Sequence, residues 1–245
     1  AVNGSIKIKK SVHAKGQLYA EIAAKTPEAF FKTFEENIDY VMQLIAKEEL
    51  VRLANVVRQY SAENVMASIE NNYGVSMVIP RDANVKKSNS EFLWVDRQMT
   101  RSKGNRKHDV QQGFLVYLTP YVADSVFTPE YLLSRRDSVL KKYVPGSKPN
   151  SYMTTQYRYQ PVYAEIEHEG EYALEMKGLW KMEGEFMGGP FVSMTKLHPE
   201  TGMLVTIEGY AYAPYFNKRE YIREAEAIVK SAKWFKGQPS TAKES

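Results

Sequence analysis

The sequence contains no cysteine, which excludes disulfides, thiolate metal sites and a cysteine nucleophile. Histidine is scarce. The four residues His13, His108, His168 and His198 are scattered, the last three in loop-like or turn-like sequence. No HxH, HExxH or histidine–carboxylate cluster occurs, so no metal site is expected. GxSxG, the P-loop and the dinucleotide fingerprint are all missing, so neither catalytic residues nor a cofactor are implied. No run of about 18 apolar residues is present to cross a membrane. Neither sign of charge dominates. Lys and Arg number 33 against 29 Asp and Glu, and the formal +4 is too small to mark a nucleic-acid binder. What is present is a 43% hydrophobic fraction and 17 tyrosines in 245 residues, enough for a core of the α+β kind. The chain begins at Ala1 rather than Met, as a processed or excised product does.

Periodicity supplies the elements. Residues 5–12 alternate, with Ile6 and Ile8 against Lys7 and Lys9, and 17–24 place Leu18, Ala20 and Ile22 on one strand face. Thr26-Pro27-Glu28 then opens a helix with an N-cap, a first-position proline and an acid at the positive end. Phe30, Phe34, Ile38, Val41 and Ile45 recur at threes and fours and predict a core-facing stripe, continued by Leu50, Leu53, Val57 and Tyr60. Ser61 starts a short helix that Gly74 ends. Strands are read at Val75–Ile79, Phe92–Arg97 and Gly113–Thr119. Thr128-Pro129-Glu130 repeats the helix opening, and Leu132, Arg136, Val139 and Tyr143 share a face before Pro145-Gly146. Residues 145–156, rich in Pro, Gly, Ser and Asn, read as loop. Strands at 159–167, 171–179, 189–196 and 203–212 follow, with turns at His168-Glu169-Gly170 and His198–Gly202. Asn217 and Glu220 cap a last helix carrying Tyr221, Ala225, Ile228, Ala232 and Phe235, after which 237–245 are expected to fray.

The expected fold is therefore α+β: antiparallel sheet with helices packed on one face, chiefly those at 27–60 and 218–235. Phe30, Phe34, Ile38, Val41, Ala225, Ile228 and Ala232 are the expected buried positions. Segments starting at Gly16, Gly113 and Gly202 share the order glycine, apolar strand, loop, helix. The chain reads as one domain over 1–245. Its pseudo-repeat halves, 1–146 and 147–245, fit either a duplication or the ordinary alternation of such folds.

Several stretches carry chemistry or packing. Met187-Gly188-Gly189-Pro190-Phe191 offers either a tight bend or exposed amides for an anion. Arg136 lies on a helix face predicted to be buried and needs a carboxylate, from Glu175 or Glu183 or from a ligand. Trp94 and Trp180 are either core or stacking platforms, and 147–155, with Tyr152 and Met153, is a connection or a lid. Glu165, Glu167 and Glu169 alternate on one strand face at a spacing a glycosidase can use and any solvated strand also has. Residues 81–110 hold eight Lys and Arg against four Asp and Glu, and Arg101–His108 is a basic hairpin tip facing either solvent or acidic headgroups and glycans. No stacking aromatics interleave the charges of this tip in the sequence, which disfavours single-stranded nucleic acid. The ligand-binding candidates are Trp180, Gly188, Gly189, Tyr152 and Arg136, expected to line one concave surface.

The stretches VSMVIP (75–80), FLWV (92–95), RDSVLKKYVPG (136–146), SYMT (151–154), EMKGLW (175–180), MGGPFVS (187–193) and KREYIREAE (218–226) together carry a resemblance. In them the chain resembles, over nearly all of 5–235, an uncharacterised lipoprotein family of Bacteroidetes-type bacteria, a domain of unknown function numbered 4837. The resemblance implies the cell envelope, periplasmic or outer-membrane, and supplies no activity. Membrane attachment would come only through a lipid anchor absent from this chain. The reading is a non-catalytic envelope protein binding a ligand or protein partner, not nucleic acid. The alternatives are a glycan- or peptide-acting hydrolase and a structural subunit of an envelope assembly.

Overall fold

The computed structural model describes residues 4–234; Phe235 and the 237–245 tail lie outside the described residues. The chain divides between Asn55 and Val56 into two compact units.

In the first unit, β1 (Ser5–Lys10) and β2 (Leu18–Ala23) form an antiparallel hairpin, with Ser5 opposite Ala23 and Lys10 opposite Leu18. Helix α1 (Pro27–Arg58) begins here, and the Thr26 hydroxyl accepts the Ala29 amide at 3.2 Å as the cap the sequence predicts. The predicted core stripe is corrected. Phe30 and Phe34 are each 40% exposed, Ile45 is exposed and Ile38 half-buried. The buried positions of α1 are Ala29, Thr33, Val41 and Ala54. The reason is close approach: a Cβ on Gly4 would sit 1.9 Å from the Thr33 hydroxyl, so small side chains make the contact and the rings stay outside it.

The second unit holds α2 (Glu63–Tyr73), β3 (Val75–Ser76), β4 (Ala83–Ser88), β5 (Phe92–Lys103), β6 (Arg106–Pro120) and α3 (Pro129–Tyr143). Then come β7 (Tyr152–Thr155), β8 (Val162–His168), β9 (Glu171–Glu183), β10 (Gly188–Leu197), β11 (Met203–Tyr212), α4 (Arg219–Lys230) and β12 (Lys233–Trp234). Eight strands make one antiparallel sheet in the order β4-β5-β6-β11-β10-β9-β7, and β8 also pairs with β9. Strand β9 is long enough to serve two partners. Its Trp180–Glu183 end takes β7, and its Glu171–Lys177 end takes β8. β12 pairs separately with β3.

The α+β class and the antiparallel sheet are as the sequence implies, and the helices occupy both faces. Strands β10 and β11, and β6 from Gln112 to Thr119, are almost continuously buried, so each face must be covered. Leu93, Val95, Phe114, Val116, Val192, Val205 and Ile207 form one core with α2 and α4, where Ala225, Ile228 and Ala232 are buried as expected. Their alternate neighbours Phe92, Leu115, Tyr117, Phe191, Leu204 and Tyr210 form a second core beneath α3. Thr128 caps α3, its hydroxyl accepting the Tyr131 amide at 3.4 Å. Gly74, at φ +66°, ends α2 as its position predicts. Three strands escaped the sequence reading, among them β12, which replaces the end of the helix expected over 218–235. The others are β4 and β7, the latter inside the predicted 145–156 loop. Strands β5 and β6 run well beyond their predicted ends.

Phe114→Ala should cost about 3–5 kcal/mol, as a buried ring in a sheet core does. Phe34→Ala should cost about 1 kcal/mol or less, its ring being well exposed. Urea titration of the two variants checks this, and the reverse order would put α1's contact face on the wrong side.

Candidate functional site

Arg136 projects from α3 onto the sheet and is 1% exposed. Its Nε donates to Glu208 Oε2 and its Nη2 to Glu208 Oε1, both at 2.7 Å, while Nη1 donates to the Thr155 hydroxyl at 2.8 Å. The guanidinium plane lies 3.7 Å from the centre of the Phe191 ring. Glu208, on β11, is wholly buried. Burial opposes the Arg136 charge, but the Glu208 carboxylate holds its pKa above the ordinary range. Burial also pushes the Glu208 carboxyl up, with Arg136 pulling the other way. The partner is thus Glu208, not Glu175 or Glu183. Glu175 instead bonds Lys230 and, at 3.1 Å, Lys177, and Glu183 bonds Lys181 at 2.6 Å.

The other predicted site residues lie around this pair. Trp180 on β9 is directly opposite both Thr155 of β7 and Gly189 of β10. Its ring is 1% exposed, and its Nε1 donates to the Ala211 carbonyl at 3.3 Å. Gly188 and Gly189 are not a bend. They are the first residues of β10, and neither has a positive φ. They serve close approach, since a Cβ on Gly189 would meet the Ala211 carbonyl oxygen at 1.9 Å. Tyr152 is half-buried on β7, with the Lys141 ammonium 5.1 Å from its ring centre. Trp94 is also half-buried and donates to the Tyr210 hydroxyl at 3.0 Å. So Arg136, Trp180 and Gly189 converge, but Arg136 and Trp180 point into the interior.

Of the five, Gly188 reaches a groove of about 520 Å³, bounded by Gln156, Lys181, Met182 and the β9–β10 hairpin with its exposed Phe186. That hairpin is pinned by Glu185. Its carboxylate accepts the Ser147 amide at 2.6 Å, the Ser147 hydroxyl at 2.8 Å, the Lys148 amide at 3.1 Å and the Ser151 hydroxyl at 2.6 Å. The Ser151 and Ser147 hydroxyls and the Lys148 amide hold its pKa down at about 2. A second groove of about 550 Å³ runs past Tyr60, Pro80 and Arg81 to Arg97. There Arg97 meets Asp82 and Glu224, each at 2.7 Å, so its charge is compensated.

The sequence reading did not single out the outer edge of β8. This strand closes one side of the sheet and is largely exposed. Beside it the side chains of Tyr157, Tyr159, Val162, Tyr163 and Tyr172 stand in solvent. The signal was available as four tyrosines within 157–172, divided between a loop and two strands. The opposite edge is guarded. β4 carries Lys86 and Lys87 and a register shift between Val85 and Lys87, the devices that keep an edge from pairing. β8 has no lysine, no proline and an unbroken register from Val162–Lys177 to His168–Glu171.

Strands β3 to β11, helices α2 to α4 and nearly all of both cores fall in the part of the chain that comparison with known proteins recognises. The sequence model of the family described as Domain of unknown function (DUF4837) matches residues 62–231. The chain belongs to that family. No curated protein matches it. In this DUF4837 domain the match takes in Arg136, Glu208, Trp180 and all of β8.

Two outcomes are expected. Arg136→Ala leaves Glu208 buried and unpaired and should cost about 3–5 kcal/mol, whereas a paired Arg136→Met/Glu208→Leu variant should recover most of that loss in denaturant titration. The Glu185 carboxyl lies below its ordinary 4.5 in the folded state, so its contribution is complete above that pH and lost as pH falls toward about 2. The Ser147 and Lys148 amide resonances should titrate near the lower value and stop titrating in Glu185→Gln. A midpoint near the ordinary carboxylate value would contradict the pinning.

Proposed function

We propose that the chain is a non-catalytic binding protein of the cell envelope whose partner is a protein segment taken up as an added strand along β8. The unguarded edge of β8 carries this reading. A seven-residue strand with one open side offers backbone donors and acceptors that an extended peptide satisfies. Tyr163, Glu165 and Glu167 alternate and so share one face, while Val162, Ala164 and Ile166 share the other. A peptide that alternates Lys or Arg with apolar residues meets the two carboxylates on one face and Val162 on the other. A second copy of β8 would set glutamate against glutamate, which disfavours self-pairing. The exposed tyrosines add large, stiff contact area beside the edge. Placement in the envelope is supported by the resemblance of RDSVLKKYVPG and MGGPFVS to envelope lipoproteins. Among the described residues no helix is long and apolar enough to cross a membrane.

Two measurements test the reading. A short peptide alternating Lys and Val should bind the chain in calorimetry, and its Glu-for-Lys counterpart should not. Glu165→Pro, which an exposed edge tolerates, should abolish that binding with little loss of melting temperature. Equal binding of both peptides, or none of either, overturns strand addition. Fractionation of cells making the full-length gene product should place it in the envelope, and recovery in the cytosol overturns that part.

A further inference from the structure

The β5–β6 hairpin outruns the sheet. β4 accompanies β5 only as far as Arg97, and β11 accompanies β6 only from Gln111 on. Beyond these points the pairs from Met99–Val110 to Lys103–Arg106 form a two-stranded ribbon, about 17 Å long at the usual rise per residue. Gly104 at φ +60° and Asn105 turn its tip. Residues 99–110 carry four cations, Arg101, Lys103, Arg106 and Lys107, against the single acid Asp109. All four cations are exposed. Arg101 bonds only the Thr100 carbonyl and the Met99 sulfur, Lys103 bonds the Tyr215 carbonyl at 2.9 Å, and none of the four meets a carboxylate among the described residues.

Register concentrates this charge. Directly opposed residues share a face, and so do residues two apart, so Arg101, Lys103, Arg106 and His108 stand on one side of the ribbon. Lys103 is directly opposite Arg106, an arrangement that works against the hairpin when nothing anionic is present. The same side rests on Met99 and Val110, which pack with Ala213 and Phe216. Tyr215 lies there too, its ring centre 4.1 Å from that of His108 and its side chain 55% exposed. The fold thus supplies an aromatic beside the cations that the linear sequence hides.

We infer that this ribbon is a contact for a lipid bilayer bearing acidic phospholipid headgroups. A local cluster of about four cations is what a flat anionic surface rewards, because the negative potential lies within a Debye length of it. Tyr215 has the amphipathic ring that favours the headgroup level. A nucleic acid calls for a longer track of cations along its phosphates, and here the charge ends within a few residues of the tip. The inference does not depend on strand addition at β8, which lies on a different part of the sheet.

Flotation of the chain with vesicles tests it. Phosphatidylcholine vesicles containing one third phosphatidylglycerol should bind at low salt, and pure phosphatidylcholine vesicles should not. Binding should fade at about 0.5 M salt, where charges are screened within a few ångströms. Arg101→Ser/Lys103→Ser/Arg106→Ser/Lys107→Ser should weaken partitioning by about 100-fold or more, each cation being worth about fivefold near such a surface. That variant relieves like-charge repulsion, so its melting temperature should hold or rise, which separates lost binding from lost folding. No binding to the acidic vesicles, undiminished binding by the variant, or equally tight, salt-sensitive binding to a short DNA duplex each overturns the bilayer assignment.

Discussion

The Arg136–Glu208 pair is the constraint around which the second unit is organised. A sheet buried on both faces needs cover on each, and the core face holding Phe191, Tyr210 and Trp180 takes its helical cover from α3. A helix resting on a greasy sheet can slide. Moving α3 by one turn, about 5.4 Å, would leave a guanidinium and a carboxylate buried without partners. The cost of taking both charges out of water offsets much of their attraction, so the pair adds little net stability. Its effect is to make alternative seatings of α3 unfavourable. Thr155 completes the arrangement by binding both Arg136 and Asp137, which ties the short strand β7 to the helix above it.

This use of the interior determines where recognition has room. The Arg136 fork is filled by a protein carboxylate and a hydroxyl, and the Trp180 face by neighbouring rings. Polar groups that resemble ligand-binding equipment in the sequence are spent on internal contacts. Surface chemistry is left to the periphery, where the exposed edge of β8, the pinned β9–β10 hairpin and the cationic ribbon lie. The contrast between edges is informative. β4 has charge and a register shift to prevent pairing, and β8 has an open register with glutamates on one face. Edge protection of the β4 kind is therefore present on one side of the sheet and missing from β8 on the other, and the proposed strand addition rests on that difference.

The sequence was most legible where local chemistry and burial agreed. Thr128-Pro129 caps α3, Gly74 ends α2, and β11 matches its predicted span, because each signal is local and no tertiary contact contradicts it. Helix α1 was misread because periodicity identifies a face without saying whether it is covered. Its phenylalanines recur at helical spacing, but Ala29, Thr33 and the approach at Gly4 form the contact. Strand β7 was hidden by Pro, Gly and Ser around it, since four residues gain strand geometry only by pairing with the end of β9. The burial of Trp180 was not legible. A tryptophan beside glycines reads equally as a platform and as packing until the third layer, α3, is known.

The motifs around β9 and β10 show why packing accounts for them. Gly178 and Phe191 are directly opposed, and a Cβ on Gly178 would meet the Phe191 ring at 2.8 Å. Two pairs further along, Trp180 opposes Gly189, whose Cβ would crowd the indole nitrogen at 3.3 Å as well as the Ala211 carbonyl. Each strand thus offers a ring where the other offers a glycine. Tyr210 lying over Gly113 repeats the arrangement between β11 and β6. Rings placed over glycines pack beneath α3, where the Arg136 guanidinium stacks on Phe191. EMKGLW and MGGPFVS are therefore two halves of one packing solution, and their joint presence specifies a sheet geometry. A match carried by such motifs tracks the shape of the second core. The open edge and the ribbon, where contacts are proposed, carry residues that this core does not constrain.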